Sequence, residues 1–153
     1  MIMNGKNIKI RPAQTADIPA MTALLQMLFS IEQDFTANPA CQADGLRLLL
    51  QDDRNFALVA ADGEKIIGMC TALRLISTAA GGYKALVEDV IVLPEYRRQG
   101  IGIQMLQDLA AWAKKQSVKR LDLVAVHHNT AAIRLYKKLG WQSTELIMMQ
   151  KPL

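Results

Sequence analysis

Six residues, Arg97-Arg98-Gln99-Gly100-Ile101-Gly102, stand between an apolar β-branched run ending at Val92 and a segment with helical spacing. A turn from a buried strand into a helix leaves backbone N–H groups unpaired at the positive end of the helix dipole. Gly100 and Gly102 put no side chain over those amides, and Arg97 and Arg98 add charge beside them. The chemistry this arrangement suits is the holding of a phosphate-like anion. It is not a Walker loop, because Ile103 and Gln104 follow Gly102, nor a dinucleotide fingerprint, because Met105 stands where a third glycine or alanine is required. A tight turn that merely contains glycines is the plain alternative, and a short glycine pattern alone leaves both readings open.

The other chemically capable residues fall on either side of that turn. Glu88 and Asp89 interrupt the run ALVEDVIV, where an unpartnered carboxylate is costly, so a functional role is favoured over an edge-facing salt bridge. Neighbours on a regular strand point to opposite sides, so at most one of the two is expected in a given site unless a bulge intervenes. Asn129 reads equally as a helix cap or a ligand-holding amide. By spacing alone Tyr136 is a core tyrosine beside Ile133 and Leu139. His127 and His128 are adjacent and diverge on a strand end, which argues against a two-ligand metal site; no metal is expected. Cys41 and Cys70 lack metal or disulfide spacing and are both expected to be small buried hydrophobes. Trp112 and the helix-face methionines read as core.

These residues need a scaffold, and the pattern supplies one. IKIRPAQTADIPAM reads as a strand leading to a helix capped at Thr15, with Ile18, Met21, Leu24, Leu25 and Leu28 at helical spacing. A loop carrying Glu32 and Asp34 and a second helix over 39–50 follow. Two apolar runs meet at Asp62-Gly63, a hairpin signal. After the turn STAAGGYK come a strand over 85–92, a helix over 102–112, a strand over 119–126, a helix from Asn129 or Thr130 to the terminator Gly140, and a last strand in TELIMMQKPL. This order predicts an α/β (α+β) domain occupying residues 1–153, a mixed sheet with flanking helices and one parallel crossover.

Composition agrees with a single core: 153 residues, 51% of them hydrophobic. The N-terminus has no secretory h-region and no apolar run approaches a membrane span, so a cytoplasmic protein without membrane contact is expected. The charge of +4 gathers in the C-terminal half. Without aromatic platforms among the basic residues, nucleic acid is not expected as a partner.

With these elements in order, the chain resembles the GNAT acetyltransferase superfamily. Its pattern [QR]-x-x-G-x-[GA] is met by residues 97–102, directly after V-x-P-E-Y-R. Its N-x-x-A-x-x-x-Y-x-x-x-G-[FW] pattern is met by Asn129, Ala132, Tyr136, Gly140 and Trp141. The opening IRPAQTADIPAM and the hairpin ending in IIGM are also similar, so the likeness spans nearly the whole chain.

The resemblance implies a GNAT fold of about six to seven strands and about four helices, splayed between the fourth strand (85–92) and the fifth (119–126). It implies an N-acetyltransferase with acetyl-CoA as co-substrate. The pyrophosphate would lie on the amides from Arg97 through Arg98, Gln99, Gly100, Ile101, Gly102 and Ile103. Val90, Ile91 and Val92 would pair with the pantetheine arm by backbone, and Asn129 and Ala132 would face it across the opening. Tyr136 would return a proton to the leaving thiolate, which displaces its reading as core. Glu88 would act as base through water, because similar polyamine and glucosamine-phosphate acetyltransferases carry Glu-Asp at this place. The acceptor would meet Glu32, Asp34, Tyr83 and Asp89, an acidic lining that favours a small polyamine-like or aminoalkyl primary amine attacking directly in a ternary complex. An aminoalkylphosphonate acceptor would need Lys84 or Arg74. A protein N-terminal acetyltransferase, or a non-catalytic acetyl-CoA sensor or interaction domain, are the other readings, and a homodimer is compatible with the tail.

Overall fold

The computed structural model describes residues 2–3, 6–31 and 36–153. A two-residue strand β1 (Ile2–Met3) pairs with β2 (Lys6–Pro12), and a short 3-10 turn (Thr15–Asp17) leads into α1 (Ile18–Ile31). The cap lies one residue earlier than Thr15. Gln14 is the capping residue, its N–H donating to Asp17 Oδ2 at 2.8 Å, and Arg11 grips the same carboxylate with two bonds of 2.7 and 2.8 Å. An acidic side chain at the positive end of a helix, anchored to the preceding strand, fixes the angle at which α1 leaves the sheet.

Asn38 caps α2 (Pro39–Gln51), with Pro39 at its first position. β3 (Phe56–Asp62) and β4 (Lys65–Ser77) then form a hairpin turning at Gly63, whose φ of 61° a residue with a side chain adopts only under strain. β5 (Gly82–Val92) runs back along β4, and the 3-10 turn Pro94–Tyr96 delivers the chain to α3 (Ile101–Lys115). β6 (Val118–Leu123) is parallel to β5, and α4 (Thr130–Lys138) follows. The result is a mixed sheet of five full strands, β2 to β6 in sequential order, with β1 appended at the β2 edge, and four helices.

Each face of the sheet has its own core. On one, Ile101, Met105, Leu106 and Leu109 of α3 pack on Leu58, Cys70, Ala85 and Val87, and Phe56 stacks on Trp112 with ring centroids 4.7 Å apart. On the other, Met21, Leu24 and Leu25 of α1 and Leu46 of α2 pack on Val59, Met69 and Ile91. The apolar spacing read from α1 and α3 is therefore what buries them.

Two expectations are corrected. Cys70 is buried, its thiol pushed up to about 12 mainly by burial, but Cys41 is exposed on α2. Residues 142–153 form no strand; Leu146, Ile147 and Met149 are more than four-fifths exposed. Apolar β-type composition makes a strand only where a neighbouring strand supplies its hydrogen bonds, and among the described residues none is laid beside the tail. Among the described residues, no helix is long and apolar enough to cross a membrane.

The Arg11–Asp17 grip gives a stability prediction. Arg11 holds the Asp17 carboxyl below its ordinary range, so the pair's contribution is present above the unfolded carboxyl value, about 4, and is lost as pH falls through the lower folded value. Asp17→Asn is expected to cost about 1–2 kcal/mol at pH 7 in urea unfolding, with the gap to the parent protein closing as pH falls through the lowered Asp17 value. A gap of constant size at every pH would show that the ion pair contributes nothing.

Candidate active site

β5 is bordered on both sides only along its first half. Its register with β6 runs from Tyr83↔Val118 to Val87↔Leu123 and stops, because β6 ends at Leu123 rather than continuing to Val126. Beyond Val87, β5 remains paired with β4 alone, through Met69↔Ile91 and Gly68↔Val92. The sheet therefore opens along Glu88–Val92, and the edge carrying Val90, Ile91 and Val92 has no strand beside it on that flank. Backbone groups facing that flank can pair with an extended amide-bearing ligand as though it were another strand.

The glycine turn sits at the end of this opening. Gly100 is the residue that enters α3, with φ 80° and no side-chain cap, so the helix begins with its leading amides unshielded. Arg98, with φ 58°, also takes the left-handed conformation, which is uncommon for a residue with a Cβ. Arg97 turns back to donate from Nε to the Val92 carbonyl at 2.9 Å, tying the turn to the end of β5. Gln99 Nε2 bonds the Glu95 carbonyl at 3.2 Å. Ile101 faces the core, 1% exposed, which anchors the turn from beneath.

Gly102 is informative because the fold itself does not demand it. A Cβ there would meet Leu135 Cδ2 at 3.8 Å and Val92 Cγ2 at 3.9 Å, ordinary contact distances. These contacts also show that α3, α4 and the end of β5 converge at one point. On α4, Asn129 is the N-cap, its Oδ1 accepting from the Ala132 N–H at 3.2 Å. Gly140, φ 88°, follows the helix end as expected. Tyr136, one residue from Leu135, packs half-buried on the α3-side core with its ring 6.0 Å from Trp141.

The carboxylates follow from a bulge. Thr71 pairs with Glu88 and Met69 with Ile91, so Cys70 on β4 is opposed by two residues, Asp89 and Val90. Asp89 is the inserted residue, with φ 53°. Ala85, Val87, Val90 and Val92 pack on the α3 side, whereas Ile91 packs on the α1 side. The extra residue thus lets Glu88 and Asp89 share one face instead of facing apart. Both line an open cleft of about 950 Å³, with Leu25 and Phe29 of α1 and Leu49 of α2 as its apolar wall. Asp52 and Asp53, from the link between α2 and β3, border the same cleft. Asp52 is held down to about 2 by the Arg54 guanidinium. Asp89 is the opposite case: burial raises its carboxyl, and a 3.0 Å hydrogen bond from the Thr71 hydroxyl draws it partly back.

Not every expected residue is gathered here. Glu32 and Asp34 lie outside the described residues. Tyr83 is at the far end of β5, opposite Ile76 and Val118, under the Arg74 guanidinium at 4.6 Å, and it does not line the cleft. Lys84 is paired with Asp122 at 3.0 Å. His127 and His128 are exposed on the connection to α4, edge to face at 5.2 Å, and no metal-holding cluster of His, Cys, Asp and Glu occurs among the described residues. Asp52, Asp53 and Thr71 carried no signal in the sequence beyond their residue types, because only the wrapping of α2 and the strand register bring them to the cleft.

Residues 21–141, spanning both glycine turn and α4, match the sequence model of the acetyltransferase (GNAT) family. The chain belongs to that family. This GNAT protein is an N-acetyltransferase, and acetyl-CoA is its acetyl donor. It is 25% identical over 147 residues, 94% of this chain and 97% of the other, to an aminoglycoside N(6')-acetyltransferase type 1 of Acinetobacter baumannii. Among solved structures it is similar to a transcriptional regulator from Bacillus halodurans, with a TM-score of 0.84, 25% identity and coverage of 95% and 100%. A predicted acetyltransferase with acetyl-CoA from Clostridium acetobutylicum shares the fold at TM-score 0.80, 20% identity and coverage of 95% and 96%. In the GNAT protein described here, the unshielded amides of α3 and the spare room at Gly102 fit a pyrophosphate.

Proposed function

We propose that this GNAT acetyltransferase acetylates the primary amine of a small cationic molecule, polyamine-like or aminoalkyl, by direct attack in a ternary complex. The observation that carries this reading is the bulge that turns Glu88 and Asp89 together into a cleft bordered also by Asp52 and Asp53. Four carboxylates, Asp52 among them already paired with Arg54, border an open, partly apolar cleft that complements a compact polycation carrying a short aliphatic chain. The aminoglycoside enzyme of A. baumannii, named for a polycationic acceptor, supports the same class.

The thioester supplies the acetyl group, with its pyrophosphate on the amides of residues 97–103 and its pantetheine arm along Val90–Val92, opposite Asn129 and Ala132. Asp89 receives the ammonium of the acceptor. Glu88, exposed at the cleft, takes one proton from that ammonium through water, which frees the nitrogen lone pair to form the C–N bond. As the C–S bond breaks, Tyr136 gives its phenolic proton to the sulfur, and it is reprotonated through water by the second proton, which leaves the nitrogen as the amide forms. The net change moves one acetyl group and releases one proton. The same reading places the chain in the cytoplasm, and the exposed Leu146, Ile147 and Met149 side chains support pairing with a second copy.

The test is thermal unfolding with and without acetyl-CoA, then thiol release over a panel of diamines, aminoglycosides, aminoalkylphosphonates and peptides with free N-termini. Stabilisation with turnover on the diamines or aminoglycosides is expected, with Glu88→Gln lowering kcat about 100-fold near neutral pH. Turnover confined to the peptides would move the assignment to protein N-termini. Stabilisation with no turnover on any of these would overturn the small-amine reading and place the acceptor outside the classes on the panel.

A further inference from the structure

Thr71 has no place in the reading above, yet it is the one polar side chain of β4 set behind the bulge. It is fully buried, 0% exposed, between Met69 and Leu73 on the face that meets α1 and α2. A buried hydroxyl needs a partner, and this one donates to Asp89 Oδ2 at 3.0 Å. Asp89 needs the bond more. The bulge holds it in a left-handed backbone conformation, and its side chain leaves the strand with no ladder position of its own to fix it. The charged or titratable groups near it give no help. Glu88 is beside it, the Cys70 thiol lies across the strand pair, and Asp52 and Asp53 border the cleft, the Arg54 guanidinium being bound to Asp52 and not to Asp89. α1 and α2 present Leu25, Phe29 and Leu49. Among the described residues no cation is paired with Asp89.

We propose that Thr71 is a positioning residue of the acceptor site: its hydroxyl fixes the Asp89 carboxylate, on the bulge, in the orientation that receives the ammonium group of the acceptor. The inference rests on the small-amine reading for the identity of the cation but not for the Thr71–Asp89 coupling. The remaining Asp89 oxygen, Oδ1, is the one left for the cleft. A carboxylate fixed by a buried hydroxyl presents that oxygen without the rotamer search an unanchored side chain would make on binding. The bond favours the charged form of Asp89, against the burial that raises its carboxyl.

The test compares Thr71→Val, which keeps the buried shape and removes the donor, with Thr71→Ser, which keeps the donor. Carboxyl carbon NMR, assigned with Asp89→Asn, follows the Asp89 titration in the free protein. Its midpoint is expected to rise by about one pH unit in Thr71→Val and to return in Thr71→Ser. With 1,4-diaminobutane as acceptor, Thr71→Val is expected to raise KM about tenfold with kcat within about twofold, and Thr71→Ser to restore KM. A purely structural Thr71 would leave the Asp89 midpoint in place and lower stability in both variants. An unmoved midpoint in folded Thr71→Val overturns the proposal, as does a fall in kcat at constant KM. Absence of turnover with the diamine and with the other small amines of the panel would defeat the small-amine reading alone, because the titration decides the Thr71 assignment without any acceptor.

Discussion

Replacing Gly102 with alanine will weaken acetyl-CoA binding by about tenfold or more while leaving the free protein as stable as before, or slightly more stable. The two signs come from different physics. Within the fold the new methyl meets only Leu135 and Val92 at ordinary van der Waals distance, and the backbone there is helical, with no positive φ to strain. Alanine in a helix is favoured over glycine by about 0.5–1 kcal/mol, less near the first turn, so Tm should hold or rise by up to about 3 °C. Bound phosphate oxygens, by contrast, approach the amides of the first turn closely, and a Cβ beside those amides takes up that space. Calorimetric titration with acetyl-CoA beside a thermal scan separates the two. Gly100→Ala is the contrasting control: at φ 80° it is strained as well as obstructive, and stability and affinity should fall together. Undiminished affinity in Gly102→Ala would mean that the pyrophosphate lies elsewhere.

Gly102 also shows why the turn was readable in the sequence. The glycine pattern, the strand before it and the amphipathic segment after it are all local, and each specifies the same strand-to-helix transition. Asn129 as cap, Gly140 as terminator and the Asp62-Gly63 hairpin are legible for the same reason: a backbone conformation or an orphan amide dictates the residue type within a few positions. The bulge at Asp89 is a different kind of fact. It is an agreement between two strands about register, made by Thr71, Cys70 and Met69 on β4, and nothing local to Glu88-Asp89 announces it. What the run ALVEDVIV does show is the conflict the bulge resolves. A strictly alternating strand that kept Ala85 and Val87 in the α3-side core would carry Asp89 into that core and expel Val90 and Val92 from it. One inserted residue returns both valines to the core and sends the acid to the cleft.

The tail fails for a related reason. TELIMMQKPL has the composition of a strand, but composition cannot provide the neighbour a strand needs. Tyr83 misses its expected place because it lies at the wrong end of β5, and Asp53, for which the sequence offered no role, enters the cleft only because α2 carries the chain back across the α1 face. The half of the site that recognises the acetyl donor is thus written in short motifs, and the half that recognises the acceptor is assembled by tertiary contacts.

Tyr136→Phe is expected to lower kcat about 100-fold while changing the acetyl-CoA Kd by no more than about twofold. The substitution removes one oxygen and keeps the ring that packs on the α3-side core and against Trp141, so a tyrosine serving only that core would lose little beyond a hydrogen bond's worth of stability. The argument for more rests on where α4 puts it. Leu135, its neighbour, lies beside Gly102, as Val92 does, so Tyr136 stands on the helix that meets the glycine turn at the end of β5, on one helical stripe with the capping Asn129. A phenolic O–H can supply the proton the departing sulfur requires. Two further readouts separate this role from packing. Activity of the parent protein should decline as the phenol ionises at alkaline pH, and that decline should be missing in Tyr136→Phe. The penalty should also shrink with acetyl thioesters of more acidic thiols, whose thiolates leave without a proton. An equal loss with every thioester, or a variant as fast as its parent at all pH values, would return Tyr136 to the core and leave the thiolate to collect its proton from solvent entering between β5 and α4.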